Sequence, residues 1–214
     1  MLFENANQAF EYYYPLILTE GKDFNSTKAM FNVSFEMLHP DQNHISSPWR
    51  KWNPDYAEQE WQWYLSADPN ATSMAKKARI WAGMMDENGC VNSNYGYQWN
   101  RNGQLAKVVR MLAENPNTRK AGISLYDGKE MDQYAKDTVC TYAVHFTVWK
   151  DRLNMSVLMR SNDLVFGFCN DQYCFSKLQM TVAHHLGIEL GTYNHFAVNL
   201  HIYPRHFDLR TRNN

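Results

Sequence analysis

The segment from residue 138 to residue 203 constrains the fold of this chain of 214 residues more than any other part. Residues 138–149 and 153–160 have strand character, and Lys150-Asp151-Arg152 between them predicts a hairpin turn. The later elements are a long buried helix at 171–187, which Gly187 ends, and a final strand at 192–203. This order predicts an α+β fold in which long helices cover a mixed or antiparallel sheet.

The first part of the chain adds further helices and strands. The patterns predict helices at 5–20, 55–66, 73–85 and 103–114, strands at 29–37 and 121–126, and a loop at 38–54. Asn53 or Asp55 is the expected cap of the second helix. The helix at 103–114 is amphipathic, and Asn115-Pro116-Asn117 ends it. No repeat, low-complexity tract or linker interrupts the sequence, so residues 1–214 are expected to form a single domain.

Composition excludes several classes of protein. The net charge is −1, which does not favour a surface for polymeric nucleic acid, although a nucleotide monomer needs only a local cation cluster. The four cysteines form no Cys-x-x-Cys pair, so no metal site is expected. The sequence has neither an export signal nor an apolar run of membrane length. These features predict a soluble protein with reduced thiols in the cytoplasm, or in the host cytoplasm if the source is viral.

Cys140 is the candidate nucleophile. On its surroundings alone, a buried core thiol is the commoner role for an isolated cysteine among β-branched and aromatic residues. A following arginine segment is expected to lower the pKa of the thiol, because nearby cations favour the thiolate. The order Cys140, Arg160-Ser161, a segment rich in Asn and Asp, and His201-x-Tyr203 resembles the catalytic half of the thymidylate synthase family.

The resemblance implies a specific chemistry for Cys140. A thiolate that adds to C6 of a pyrimidine gives C5 carbanion character, and C5 then attacks a one-carbon electrophile. Typical thymidylate synthases carry Pro-Cys-His at this position, whereas this chain has Val139-Cys140-Thr141. The Cys-Thr context resembles the branch of the family that hydroxymethylates deoxycytidylate in bacteriophages.

Asp171 is expected to select the base. Counting from Arg160 places Asp171 on the asparagine with which thymidylate synthases recognise uracil. A carboxyl group accepts a hydrogen bond from N4 of cytosine and, if protonated, donates one to N3. The neighbouring Asn170 is the alternative reader, because a shift of one residue puts an amide at this position. The stretch Gly167 to Asp171 matches the hydroxymethylase pattern Gly-Phe-x-Asn-Asp without gaps, which favours Asp171.

The resemblance assigns the rest of the nucleotide as well. Arg160 and Ser161 are expected at the 5′-phosphate, where a guanidinium fork suits a dianion. His201 and Tyr203 share one face of a strand and are expected at the sugar 3′-hydroxyl. Arg119 and Lys120 resemble residues that reach the phosphate of the partner subunit, although such a basic turn alone is more often only solvated. Lys28 is a further candidate phosphate ligand.

The remaining assignments concern proton transfer and folate. Glu60 resembles the glutamate of a Glu-x-x-Trp helix and is expected to have a raised pKa among tryptophans, with Glu58 as the adjacent alternative. Tyr95 belongs to a Tyr-Gly-x-x-Trp segment that the family places as a loop beside the nucleophile. Trp81, Met84, Asp163 and Gly167 are the positions that resemble the folate site. Met84 stands where the family has a second tryptophan, a change compatible with the entry of water.

Together these residues imply a dCMP 5-hydroxymethyltransferase that uses 5,10-methylenetetrahydrofolate as co-substrate and forms a homodimer with shared active sites. The alternatives are a C5-methyltransferase acting on dCMP or dUMP, a CMP hydroxymethylase, and a silent relative that only binds nucleotide or RNA. The sequence extends eleven residues past Tyr203, whereas family members continue well past this strand and close a tail over the site. A water-adding enzyme, or a lid from another element, is therefore expected.

Overall fold

The computed structural model describes residues 1–133 and 136–212. The helices are α1 Ala6–Glu20, α2 Pro54–Ser66, α3 Thr72–Ala75, α4 Arg79–Met84, α5 Tyr95–Asn100, α6 Gln104–Glu114, α7 Cys169–Leu186 and α8 Leu209–Arg212. The strands are β1 Leu2–Phe3, β2 Lys22–Phe24, β3 Thr27–Met37, β4 Gly122–Ser124, β5 Thr141–Trp149, β6 Arg152–Met159, β7 Asn162–Asp163 and β8 Glu189–Ile202. A π-helical turn at Leu164–Phe168 leads into α7.

One mixed sheet organises these elements. Its strand order is β1-β3-β8-β6-β5-β4, with β2 added beside β3 and β7 beside β8. The β5–β6 hairpin is antiparallel and β6 runs parallel to β8, so α7 is the crossover between two parallel neighbours. The predicted α+β class and mixed sheet are confirmed.

Helices cover one face of the sheet. Helix α7 packs on β6 and β8, and α1 packs on β3 and β8. The inward side chains of the central strands are fully buried, for example Phe146, Val157 and Tyr193. The opposite face carries exposed apolar side chains. The covered face therefore holds the core.

Most predicted elements are confirmed, with their caps. Asn53, not Asp55, caps α2 by accepting a hydrogen bond from the backbone N–H of Tyr56, and α6 ends before Asn115. Gly187 ends α7 with φ of 65°. The positive φ angles of Lys150 and Asp151 (51° and 57°) form a two-residue turn whose twist matches that of the flanking strands.

Three predictions about local structure were wrong. The segment 73–85 forms two short helices, α3 and α4, instead of one. The Tyr-Gly-x-x-Trp segment is not a loop but helix α5, which Asn94 caps by accepting from the N–H of Tyr97. Strand β5 begins at Thr141, so Cys140 lies just before the strand instead of within it. None of the helices described is long and apolar enough to cross a membrane.

Candidate active site

Cys140 is fixed by contacts on both sides of it. The guanidinium of Arg160, at the end of β6, donates hydrogen bonds to the carbonyls of Val139 and Thr138 at 2.9 and 2.7 Å. Its Nη2 atom also lies 3.7 Å from the Cys140 sulfur. On the other side, the buried carboxylate of Asp137 accepts hydrogen bonds from Ser93. The cysteine is therefore held between the sheet and the segment that leads into α5.

The expected lowering of the thiol pKa was wrong in its net direction. Arg160 does lower the pKa of Cys140, but burial acts more strongly and raises it to about 11. The nearby acid Asp171 raises it further. The free protein therefore holds Cys140 as a thiol near neutral pH, and the charge of Arg160 acts on whatever negative charge develops on the sulfur.

Glu60 projects from α2 into the interior. Tyr64, one turn further along α2, donates a hydrogen bond of 2.8 Å to its Oε1 atom, while its buried Oε2 atom accepts no geometrically well-formed hydrogen bond from the described residues. Burial raises the pKa of Glu60 to about 7, which confirms the prediction. The adjacent Glu58 lies at the surface, where it accepts from Tyr173 and pairs with Lys177. The helix thus separates the two glutamates, and Glu60 is the one at the site.

Tyr95 reaches the site because α5 packs unusually close to α2. An added Cβ at Gly96 would lie only 1.6 Å from the carbonyl oxygen of Tyr64, so this position requires glycine. Tyr95 is buried against Tyr64 and Phe175, with ring centroids 5.6 and 5.2 Å away. Burial raises the pKa of Tyr95 well above its usual range, so its hydroxyl is neutral.

Asp171 and Asn170 face different surroundings at the start of α7. The Oδ2 atom of Asp171 accepts a hydrogen bond of 2.9 Å from Asn162. The Oδ1 atom of Asn170 instead accepts from the indole N–H of Trp52 at 2.9 Å. Burial, with the charge of Glu60, holds the pKa of Asp171 well above its usual range. Asp171 therefore interacts electrostatically with both the candidate nucleophile and Glu60.

The expected sugar ligands lie at the end of β8. His201 is buried and bonds Asn199 through Nδ1 at 2.9 Å, and its ring meets that of Tyr203 edge-on at 5.1 Å. Strand β7 pairs Asp163 with His201, which brings the half-buried Asp163 to the same place. Ser161 is half-buried between Arg160 and β7. Because Asp163 and Cys140 both act electrostatically on Tyr203, these residues form a polar rim near Cys140.

Lys28 lies at the same end of the sheet as this rim, but its ammonium group forms an ion pair outside it. It lies opposite Ile202 in the β3–β8 register, and its ammonium group pairs with Asp23 of the β2–β3 hairpin at 3.3 Å. Arg119 and Lys120 are exposed in the turn before β4, at the edge of the sheet. Within the described part of the chain, no contact joins these three cations to Cys140.

The residues assigned to folate are of types that can bind a flat heterocycle. Trp81 is buried, stands edge-on to Trp63 at 4.9 Å, and donates its indole N–H to Tyr56 at 2.9 Å. Met84 is half-buried one turn further along α4. Asp163 supplies a half-buried carboxyl whose pKa is raised by burial. An indole wall with one carboxyl is suited to a pterin-like ring.

Gly167 lies close both to Asp163 and to the Asn162–Asp171 pair. An added Cβ there would lie 3.0 Å from Nδ2 of Asn162 and 3.3 Å from Oδ2 of Asp171. A side chain at position 167 would therefore press on Asn162, the residue that donates a hydrogen bond to Asp171. The sequence patterns did not identify Asn162, nor His195 and Tyr193, which continue the same hydrogen-bond chain. Alternation along β8 was the available signal, because Tyr193, His195 and His201 share one face.

Comparison with known proteins agrees with this geometry. The sequence model of the family described as Thymidylate synthase matches residues 20–213. The chain belongs to the thymidylate synthase family. It is therefore a folate-dependent one-carbon transferase, from a family that acts on pyrimidine nucleotides and uses methylenetetrahydrofolate as co-substrate.

The relatives within this family are of two kinds. The deoxycytidylate 5-hydroxymethyltransferase of Enterobacteria phage T4 is 31% identical over 175 residues, which cover 73% of this chain and 70% of that protein. The thymidylate synthase of Bacillus licheniformis is 30% identical over 166 residues, which cover 73% of this chain and 59% of that protein. The sequence identities to the two relatives are nearly equal, so identity alone does not distinguish the two activities. The choice between them depends on individual residues.

Proposed function

We propose that this chain is a dCMP 5-hydroxymethyltransferase. The observation that supports the proposal is that Asp171, a half-buried carboxyl group, interacts electrostatically with both Cys140 and Glu60. By the family resemblance, this position corresponds to the asparagine that recognises uracil. Asn170, the alternative reader, is bonded to Trp52, which supports the assignment of Asp171.

A neutral Asp171 complements cytosine. Burial raises the pKa of Asp171 well above the usual range, which favours the protonated form. It then donates its proton to N3 of cytosine and accepts from N4–H with the other oxygen. An ionised carboxylate would leave N3 unpaired and would place a full charge in a buried site, which is costly.

Cys140 then acts as the nucleophile. As its sulfur bonds to C6, the C5=C6 electron pair moves onto the ring, and a proton held by Asp171 at N3 offsets the charge that arrives there. The thiol proton passes to water, and Arg160 stabilises the sulfur while it carries negative charge. C5 becomes nucleophilic and bonds to the one-carbon unit. Loss of the C5 hydrogen as a proton and departure of the Cys140 sulfur from C6 then restore the C5=C6 bond.

The co-substrate would be held by Trp81, Met84 and Asp163. Methylenetetrahydrofolate supplies a one-carbon unit at the oxidation level of formaldehyde. Glu60 is suited to the later proton transfers, because a pKa of about 7 lets it both accept and donate near neutral pH. Its Oε2 atom offers a position for the water that completes the hydroxymethyl group.

The residues of the polar rim, with Arg160, are the proposed ligands of the phosphate and the sugar. Arg160 already uses Nε and Nη2 on backbone carbonyls, so Nη1 is the nitrogen available to the phosphate, together with the Ser161 hydroxyl. His201 and Tyr203 are positioned for the 3′-hydroxyl. A phosphate dianion bound by a single Arg160 nitrogen needs further cations.

A second copy of the chain is the proposed source of those cations. The uncovered face of the sheet carries exposed Tyr142, Leu158 and Val198 on neighbouring strands (42, 37 and 36% exposed), an apolar surface that a twofold partner would bury. The turn that holds Arg119 and Lys120 lies at the edge of this face. In the proposed homodimer these two residues reach the partner's phosphate.

The experiment that tests the proposal compares substrates. The wild-type enzyme is expected to show a higher kcat/KM for dCMP than for dUMP, because one mismatched buried contact costs about 1–3 kcal/mol, or roughly tenfold to a hundredfold. Asp171→Asn should shift the preference toward dUMP, whereas Asn170→Asp should not change the preferred base. A wild-type preference for dUMP would contradict the proposal.

A further inference from the structure

A chain of buried polar side chains leads away from Asp171 into the sheet. Asn162 donates to Oδ2 of Asp171 at 2.9 Å, and its Oδ1 lies 3.1 Å from Nε2 of His195. The Nδ1 atom of His195 lies 3.3 Å from the hydroxyl of Tyr193. Asn162, His195 and Tyr193 are 2, 0 and 0% exposed, so water does not compete for these bonds.

The donors and acceptors of this chain can be assigned in one direction. Burial lowers the pKa of His195 to about 3, so the imidazole is neutral and carries one proton. Asn162 donates to Asp171 through Nδ2 and turns its Oδ1 acceptor toward Nε2 of His195, so Nε2 carries the imidazole proton and donates to Asn162. Nδ1 is then the acceptor for the hydroxyl of Tyr193. The Asn162 amide is thereby held with its NH₂ group toward Asp171.

This orientation matters because a neutral carboxyl group can match either base, depending on which of its two oxygens carries the proton. Its hydroxyl and carbonyl oxygens can match N3 and N4 of cytosine, and with the proton on the other oxygen they match O4 and N3–H of uracil. A fixed donor at Oδ2 favours the carbonyl form of that oxygen and leaves the proton on Oδ1. The carboxyl group then offers a single pattern.

We propose that Tyr193, His195 and Asn162 are positioning residues for base specificity, because they fix which oxygen of Asp171 carries the proton. The inference rests on the proposed role of Asp171 as base reader. None of the three needs to touch the nucleotide ring to act. Gly167 supports the arrangement, since its missing side chain leaves room for the Asn162–Asp171 pair.

Tyr193→Phe is the most direct test, because it removes one buried hydroxyl at the far end of the chain. Without that donor His195 can take either tautomer, and the Asn162 amide can turn. We expect the ratio of kcat/KM for dCMP and dUMP to move toward unity by about 3- to 10-fold. Tyr14→Phe is the matched control, because it removes a buried hydroxyl that bonds the carbonyl of His206 instead.

A second pair of variants tests the middle of the chain. His195→Gln keeps an N–H donor for Asn162 and should retain more base discrimination than His195→Leu. Equilibrium Kd values for dCMP and dUMP, measured by calorimetry, should change unequally in His195→Leu. A purely structural role would weaken both nucleotides by the same factor and leave the ratio at its wild-type value, and that result would overturn the inference.

The two proposals fail in different ways. If the wild-type enzyme prefers dUMP, the proposed function is wrong, but a ratio that still moves toward unity in Tyr193→Phe supports the positioning role. If the wild-type enzyme prefers dCMP and the ratio in Tyr193→Phe equals that in Tyr14→Phe, the positioning role is wrong and the proposed function stands.

Discussion

The guanidinium of Arg160 lies 3.7 Å from the sulfur of Cys140 while two of its nitrogens hold the backbone that precedes that cysteine. The same side chain therefore places the sulfur and supplies the positive charge beside it. Burial nevertheless keeps the thiol protonated in the free protein, with a pKa of about 11. A thiol of this kind becomes reactive only as its charge is transferred to a bound ring.

Cys140→Ser should abolish turnover, because a serine hydroxyl beside Arg160 is a far weaker nucleophile toward C6. It should also abolish the exchange of the C5 hydrogen of the nucleotide with solvent, which needs the covalent adduct but not the one-carbon donor. Nucleotide binding, measured by calorimetry, should survive. Exchange at a near-normal rate in this variant would remove Cys140 from the mechanism. Cys90→Ser, in an outer loop, is the control.

Glu60 should make stability depend on pH. Its pKa is raised by burial from 4.5 to about 7, so the folded state binds this proton more tightly than the unfolded chain. The stabilising contribution of the bound proton is full below pH 4.5 and is lost as pH rises through about 7. In Glu60→Gln, the loss of unfolding free energy between about pH 5 and pH 8 should be smaller by on the order of 2–3 kcal/mol.

Urea unfolding at the two pH values measures this difference, and Glu58→Gln is the control. Burial alone would raise the pKa of Glu58, but hydrogen bonds from Tyr173 and Gln62 lower it overall. Its replacement should therefore change the pH dependence in the opposite direction or very little. The same pH dependence in wild type and Glu60→Gln would show that Glu60 does not titrate as described.

Gly167→Ala should impair the site without an added charge. The new Cβ would lie 3.0 Å from the amide nitrogen of Asn162, and that pair must separate to admit it. Because small displacements of binding groups are costly, kcat/KM for the nucleotide should fall about tenfold or more. Gly128→Ala, whose Cβ would meet nothing within 4 Å, should leave kcat/KM unchanged. Equal values in the two variants would contradict the close packing at Gly167.

Arg119 tests the proposed sharing of sites between subunits. Arg119→Ala and Cys140→Ser should each be nearly inactive alone. After mixing and reassociation, one site of each heterodimer is intact, so about a quarter of the wild-type activity should return for random equal mixing. Sedimentation should show a dimer. A fully active monomer, or mixtures that stay inactive despite proven exchange, would contradict the shared site.

The sequence predicted the hairpin, the long helix and most candidate site residues, because periodicity and the order of motifs can be read directly along the chain. The predicted start of β5 was wrong because contacts between residues distant in sequence decide where this strand begins. Arg160 captures the carbonyls of Thr138 and Val139, and Asp137 is held by Ser93, so these residues cannot join the sheet. A strand pattern alone does not show such competition.

Other features depend on contacts that sequence spacing does not report. Helix α5 is six residues long, too short for an apolar pattern of helical spacing to repeat. Its glycine favours a turn on sequence alone, because the close approach of Tyr64 is visible only in the structure. The pKa of Cys140 required the balance between burial and the charge of Arg160. The chain from Asp171 to Tyr193 joins three separate elements, and only their pairing in the sheet brings the residues together.

The most direct test of the proposed function is the identification of products by mass spectrometry. The wild-type protein is incubated with methylenetetrahydrofolate and, separately, with dCMP, dUMP and CMP, so that base, sugar and transferred group are determined at once. The expected result is 5-hydroxymethyl-dCMP as the main product, with little product from dUMP. Conversion of dUMP to its 5-methyl product, with dCMP left unchanged, would contradict both the assignment of Asp171 as a cytosine reader and the proposed addition of water.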